Sequence, residues 1–340
     1  MNTTHDLLGL PSQDTQPVVS ISASQSLNAS ASTRDPIPTG LARLDQALHP
    51  ASLSQSRSGG ILRGQVTEVF GPPGVGKTSL ALSIASNALR EGGKVIWVDT
   101  GPPLPTLRLQ SITTELDNLV YFRAPTLPHL LALLAHPPAG FPPSGTSFLV
   151  VDSVSSLFPS YFSNPTELKD RLMQGKIADK AQLQWLLNRK WNVSSELATH
   201  LSRLAARNIA VLAINQTHTK IKGQPRATLH PYLAGGGWES NVQTRMVMYR
   251  DLPDARFVEV TKRGGRILPV RTAELIVSYR IELDGLRDLE DSKPPSPKSP
   301  QFTEPTPSRK RKALEEIADS EDEGSDEDFD WMNEALLTAK

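Results

Sequence analysis

Three continuous apolar runs cross the middle of the chain, and each stops on polar residues. KVIWVDT (94–100) carries Asp99 near its end, SFLVVDS (147–153) carries Asp152, and NIAVLAINQ (208–216) ends on Asn215 and Gln216. Strands covered on both faces read this way, whereas half-exposed strands alternate. Between the runs lie segments whose apolar residues recur at helical spacing: SLALSIASNAL (79–89), TLPHLLALLAH (126–136) and SSELATHLSRLAARN (194–208). The first is expected to set Leu82, Ala85, Ala88 and Leu89 on one apolar face, and the third opens on a Ser-Ser-Glu start signal. QVTEVF (65–70) adds a β-branched and aromatic strand upstream, and TRMVMYRD, ARFVEVTK and ELIVSYRIEL read as later strands joined by short turns. The alternation predicts an α/β fold: a mostly parallel sheet flanked by helices, with ligand groups at the carboxyl edge of the strands.

The octapeptide GPPGVGKT (71–78) sits between the first strand and the first helix. Gly71, Gly74 and Gly76 allow positive φ and close approach, so successive backbone N–H groups can point at negative charge at a helix start. Pro72, Pro73 and Val75 fill the remaining loop positions, Lys77 is spaced to reach β and γ phosphates, and the Thr78 hydroxyl to meet Mg²⁺. A strand before and a helix behind are the context this loop requires, so the chain is read as binding a nucleoside triphosphate. Asp152, at the end of an apolar strand, is the expected second holder of the cation.

Composition narrows the chemistry. The 340 residues contain no cysteine, which excludes disulfides, thiolate zinc sites and cysteine catalysis. The seven histidines are scattered without metal-ligand spacing, and no run approaches a membrane span. The net charge of zero conceals a separation. Residues 309–340 hold 11 acids and 5 bases, leaving 31 bases against 25 acids upstream. Residues 1–33 read as a disordered leader without a signal peptide and 287–340 as a disordered tail, which assigns the core to 34–286. The tail contains PSRKRK (307–312), of the kind read as a nuclear import signal, and an acidic and aromatic peptide (315–337) that suits a short partner-bound helix.

TGLARLDQAL (39–48), GGILRGQVTEVFGPPGVGKTSLAL, DNLVYFRAPTLPHLLALL (117–134), FLVVDSVSSLF (148–158) and INQTHTK (214–220) follow one another in a specific order. Together, over about 34–285, they resemble the RecA-type recombinase family, in particular its eukaryotic recombinase-like branch. The resemblance implies a RecA-like P-loop ATPase core with ATP and Mg²⁺ as cofactors. It implies that Gln216 senses the γ-phosphate, and that the loop from Thr217 to Gly237 contacts single-stranded DNA. That loop carries Lys220, Lys222 and Arg226, no acid occurs between Glu196 and Glu239, and glycines 235–237 are expected to make it mobile. The stretch from Pro159 to Lys180, with Lys169, Arg171 and Lys176, is the candidate for a second DNA loop.

Two departures change what the resemblance implies. Family members that turn over ATP follow the strand matching KVIWVDT with a glutamate that orients the attacking water; here that place holds Gly101. Loss of such a group costs about 10²–10⁴ in rate, so ATP is expected to bind and turn over slowly unless Asp99 or Glu68 substitutes. The core also begins by about residue 34, with no room for a preceding helical DNA-binding domain and no clear aromatic-x-x-Ala polymerisation peptide. The expected role is that of a nuclear recombinase paralogue that assists filament assembly as a heteromeric partner of the recombinase or of another paralogue. The alternatives are a DNA-dependent ATPase that drives strand exchange and a non-hydrolysing scaffold.

Overall fold

The computed structural model describes residues 36–48, 59–163, 165–220, 228–251, 255–269 and 272–289. The leader, the basic cluster at 307–312, the peptide at 315–337, and Lys222 and Arg226 lie outside them. A short helix α1 (Ala42–Leu48) precedes β1 (Val66–Phe70), α2 (Lys77–Arg90), β2 (Lys94–Asp99), α3 (Thr106–Ile112), β3 (Leu119–Arg123), α4 (Leu127–Ala135) and β4 (Thr146–Asp152). Then follow α5 (Pro165–Met173), α6 (Lys180–Ala205), β5 (Ala210–Asn215), the hairpin β6 (Thr217–Lys220) and β7 (Thr228–Pro231), and α7 (Gly236–Asn241). The strands β8 (Val242–Asp251), β9 (Ala255–Arg263), β10 (Arg266–Ile267), β11 (Ile276–Glu282) and β12 (Gly285–Asp288) complete the described core.

One sheet runs in the order β12-β11-β9-β8-β1-β5-β4-β2-β3, with β10 beside β9. From β3 to β8 every pairing is parallel; from β8 to β12 every pairing is antiparallel. The apolar runs sort by alternation. Phe148 and Val150 of β4 join the core under α1 and α2, while Leu149 and Val151 join the core under α4 and α6. Helices therefore cover both faces, and the ends of β1, β2, β4 and β5 share one edge.

Three expectations are corrected. Helix α2 is buried on all sides and not along one stripe, because its alanines and serines let it sink between the sheet and the chain around Gly40. Helix α6 begins at Lys180, well before Ser194. Its start is fixed by the Asp179 carboxylate, which accepts from Gln182 N at 2.7 Å, a cap with the side-chain acceptor that a helix N-terminus prefers. The Pro159–Lys180 stretch is correspondingly helical in part: Leu168 of α5 packs with Ile177 and Leu183 in a small separate core. Finally, Gly235 and Gly237 are tightly packed. A Cβ on Gly235 would press into the Trp191 ring at 2.7 Å, and one on Gly237 would collide with Ser195, so these glycines serve close helix packing where mobility was expected.

Candidate nucleotide-binding site

The loop 71–76 leaves the carboxyl end of β1 and turns into α2 through backbone that suits glycine. Gly74 has φ 77° and Gly76 has φ 115°, and a Cβ on Gly71 would run into the Met248 carbonyl of β8. Gly76 caps α2 with no side-chain hydrogen bond, so the first amides of the helix are left for an outside acceptor. Gly74 faces open space, with no described atom within 4 Å of a Cβ there. Three groups that the sequence did not point to hold the loop from behind. Tyr279 Oη donates to Val75 O at 2.7 Å, Arg250 donates to Gly74 O at 2.9 Å, and Ile281 lies against Gly76. These residues are distant in sequence, on β8 and β11, and only the sheet order brings them to the loop.

Lys77 Nζ donates to Gly71 O at 2.6 Å and Pro72 O at 2.9 Å, so it folds over its own loop. Burial pushes its pKa down, opposed by the nearby Asp152 carboxylate. Thr78 Oγ1 donates to Asp152 Oδ2 at 2.8 Å, joining two residues 74 positions apart. Burial raises the Asp152 pKa, and Asp99 adds to the rise, while the Thr78 hydrogen bond and Lys77 oppose it. This donor set fits a triphosphate with a hard cation: a glycine cradle of amides, a lysine, a hydroxyl and a carboxylate converging at one strand edge. Among the described residues no cluster of three His, Asp or Glu exists. Thr78 and Asp152 are the residues that would hold a cation here, with phosphate and water supplying further oxygens.

The two candidate substitutes for the missing glutamate separate clearly. Glu68 is fully buried in the middle of β1, and its carboxylate accepts from Asn215 Nδ2 at 2.5 Å, Trp238 Nε1 at 3.1 Å and Arg245 Nε at 2.6 Å. Fully buried and tied to β5, α7 and β8 by these three bonds, it is not placed to orient water at the nucleotide. Asp99 does stand at the edge, next to Asp152. There it accepts from Tyr121 Oη at 2.8 Å and from Gly101 N at 3.2 Å. Gly101 itself opens on free space, with no described atom within 4 Å of a Cβ.

The Rad51 family model matches residues 37–260 of this fold, which include the phosphate loop, Asp99, Asp152 and Gln216 but not β11. The chain belongs to the Rad51 family. It is 26% identical over 295 residues to the DNA repair protein rhp55 of Schizosaccharomyces pombe, covering 68% of this chain and 83% of that protein. It is 31% identical over 200 residues to the protein RecA of Thermus thermophilus, covering 57% of this chain and 51% of RecA. With RecA of Geobacter metallireducens the figures are 26% over 250 residues, 73% and 63%. The chain thus spans half to two thirds of these RecA proteins and most of rhp55. Family membership ties it to recombination and DNA repair and to the ATP and Mg²⁺ that RecA-type proteins bind.

In this Rad51-family core, Gln216 is exposed just past β5. Its backbone N donates to Ser155 Oγ at 2.7 Å and its O accepts from Tyr232 N at 3.1 Å. The next residues form the β6–β7 hairpin, so the expected DNA loop starts as an antiparallel ladder that includes the Lys220 backbone. Asn215 links the two arrangements, since its Oδ1 accepts from Ser155 N at 3.0 Å while its Nδ2 donates to Glu68. No helix among the described residues is long and apolar enough to cross a membrane.

Proposed function

We propose that this chain is an ATP-binding recombinase paralogue that binds single-stranded DNA and assists recombinase filament assembly in homologous recombination and double-strand break repair. One observation carries the assembly role over that of a motor: a complete phosphate loop stands beside an open Gly101. The phosphate cradle is complete, and the position that the family resemblance assigns to a water-orienting glutamate holds Gly101.

In this reading Gly71, Pro72, Pro73, Gly74, Val75 and Gly76 shape the cradle and its amides, Lys77 neutralises phosphate charge, and Thr78 with Asp152 holds Mg²⁺. Bound ATP supplies a γ-phosphate whose presence or loss distinguishes two states. Gln216 reports that state to the hairpin through backbone bonds to Ser155 and Tyr232, and Lys220, Lys222 and Arg226 present cations to DNA. The core runs on through β12 to Leu289, past the expected limit at 286, because Arg287 and Asp288 pair with β11; outside the described residues, 307–312 is assigned to nuclear import and 315–337 to a partner peptide. The partner is the recombinase or a second paralogue. The rhp55 likeness supports a place in DNA repair, since that protein bears the name.

ATP turnover by the purified full chain, with and without single-stranded DNA, beside ATP affinity in the same preparation, is the test. Tight binding with negligible turnover is expected. Strong DNA-stimulated turnover would reverse the reading in favour of a strand-exchange motor, with Asp99 as the group to mutate next.

A further inference from the structure

Glu68 is a buried charge that the nucleotide site leaves unused, and two of its partners come from opposite ends of one stretch of chain. A single oxygen, Oε1, accepts from Asn215 Nδ2 at 2.5 Å and from Trp238 Nε1 at 3.1 Å. Asn215 directly precedes Gln216 and Trp238 directly follows the run Gly235 to Gly237, so the two donors bracket the switch residue and the hairpin. All three side chains are fully buried. Between the donors, β6 and β7 form an antiparallel ladder from the pair Thr217 and Pro231 to the pair Lys220 and Thr228, and Tyr232 N donates to Gln216 O at 3.1 Å. The ladder thus has a base, and one carboxylate oxygen closes it.

The other oxygen faces the antiparallel half of the sheet. Arg245 Nε donates to Glu68 Oε2 at 2.6 Å and Arg245 Nη1 to Glu239 Oε1 at 3.3 Å, so β8 and α7 are tied to the same carboxylate. A buried ion pair adds little net stability, because desolvation offsets the attraction. What a carboxylate supplies is several acceptor sites in fixed directions, which a hydrophobic side chain of the same size would not. Glu68 lies three positions before Gly71 on β1, the strand that feeds the phosphate loop. The base of the hairpin is therefore anchored to the strand that carries the phosphate cradle, and the packing of Gly235 on Trp191 and Gly237 on Ser195 supports its second end from α6.

We propose that Glu68 is a positioning residue which, acting through Asn215 and Trp238, clamps both ends of the 216–237 stretch to β1 and so sets where the hairpin stands relative to bound nucleotide. The clamp itself needs no ligand; its consequence for DNA rests on the reading of this chain as a single-strand binder.

Amide hydrogen exchange of the full-length protein, followed over peptides that contain β6 and β7, tests the clamp. Trp238→Phe removes one donor and keeps a ring; Asn215→Leu removes the other and keeps the volume. Either is expected to speed exchange of the hairpin amides about 10-fold, and the double variant no further, because a clamp released at one end is already open. Ile96→Val truncates a fully buried side chain on β2 and lowers stability away from the hairpin, so it should leave hairpin exchange unchanged. ATP affinity of Trp238→Phe should equal that of the wild type, while its oligo(dT) affinity in the presence of ATP falls. Hairpin exchange that is unchanged in Trp238→Phe, that rises equally in Ile96→Val, or that adds up in the double variant overturns the clamp. Should Asn215→Leu fail to fold, Trp238→Phe against Ile96→Val decides the matter. Wild-type protein that does not bind oligo(dT) removes the single-strand reading, and the exchange rates still judge the clamp.

Discussion

The carboxyl ends of β1 and β2 are separated by two intervening strands, β5 and β4, and furnished very differently. At β1 the phosphate loop is held on every side: Tyr279 and Arg250 fix its carbonyls, Met248 limits Gly71, and Thr78 is already bonded to Asp152. At β2 the strand stops on Asp99, turned to Tyr121 and a backbone amide, and the next position of chemical interest is Gly101 with empty space before it. On the proposed reading, the difference separates binding from hydrolysis of a nucleotide in this fold: binding draws on backbone geometry that many distant residues maintain, whereas hydrolysis hangs on one position whose loss leaves the rest undisturbed.

The strongest way to break the comparison is at the β1 end. Lys77→Ala removes the charge that meets the phosphates, and ATP affinity should fall about 1000-fold, roughly 4 kcal/mol. Isothermal titration with the ATP–Mg²⁺ pair reads this directly. Retained affinity would mean that the amide cradle suffices, and the furnished end would then depend far less on its lysine than its position implies.

The β2 end gives the opposite experiment. Because a side chain at Gly101 meets no described atom within 4 Å, Gly101→Glu should fold normally and restore a carboxylate where water is activated. A rise in single-turnover ATP cleavage of about 100-fold is expected, with ATP affinity nearly unchanged. If turnover stays flat in a folded, ATP-bound variant, the missing glutamate is not what limits hydrolysis, and attention moves to Asp99.

Much of this contrast is legible in the sequence, for a local reason. The phosphate loop, Thr78 and Lys77 lie within eight consecutive positions, and Asp152 and Gln216 each end an apolar run. What stayed hidden depends on the sheet order. Glu68 reads as a spare carboxylate near the loop, yet Asn215, Trp238 and Arg245, between 147 and 177 positions away, consume it. Tyr279 and Arg250 look like ordinary strand residues until β8 and β11 are laid beside β1. The α6 start escaped because its first half mixes amides, bases and tryptophans and has weak apolar periodicity. The Asp179-x-x-Gln182 pair was the local signal that could have found it. Gly235 to Gly237 show the same limit in reverse, since a glycine run reads alike whether it supplies motion or close packing.

A milder test concerns the support behind the furnished end. Tyr279→Phe deletes the donor to Val75 O in a buried place, where burial already raises the tyrosine pKa well above its usual value. Leaving that carbonyl unpaired should cost about 1.5 kcal/mol of stability in chemical denaturation and loosen the loop enough to weaken ATP about 3-fold. A loss of stability without any loss of affinity would show that the loop keeps its shape without this strut.

The smallest expected effect separates fold from site. Asp45 on α1 lies away from both strand ends. Its Oδ1 accepts from Thr39 N at 2.8 Å, yet burial raises its pKa to about 6, with Asp288 adding to the rise. A carboxyl whose folded pKa lies above its unfolded value of 3.8 stabilises the fold fully only below that value, and the contribution is lost as pH rises through about 6. Asp45→Asn keeps an acceptor for Thr39 without the buried charge. It should therefore raise stability at pH 7.5 by about 1 kcal/mol and bring no gain at pH 4, while ATP affinity stays constant at both. Equal gains at the two pH values would remove burial of the charge as the cause. A change in ATP affinity would show that α1 and the phosphate loop are coupled, and that the furnished end of the sheet extends further than its hydrogen bonds.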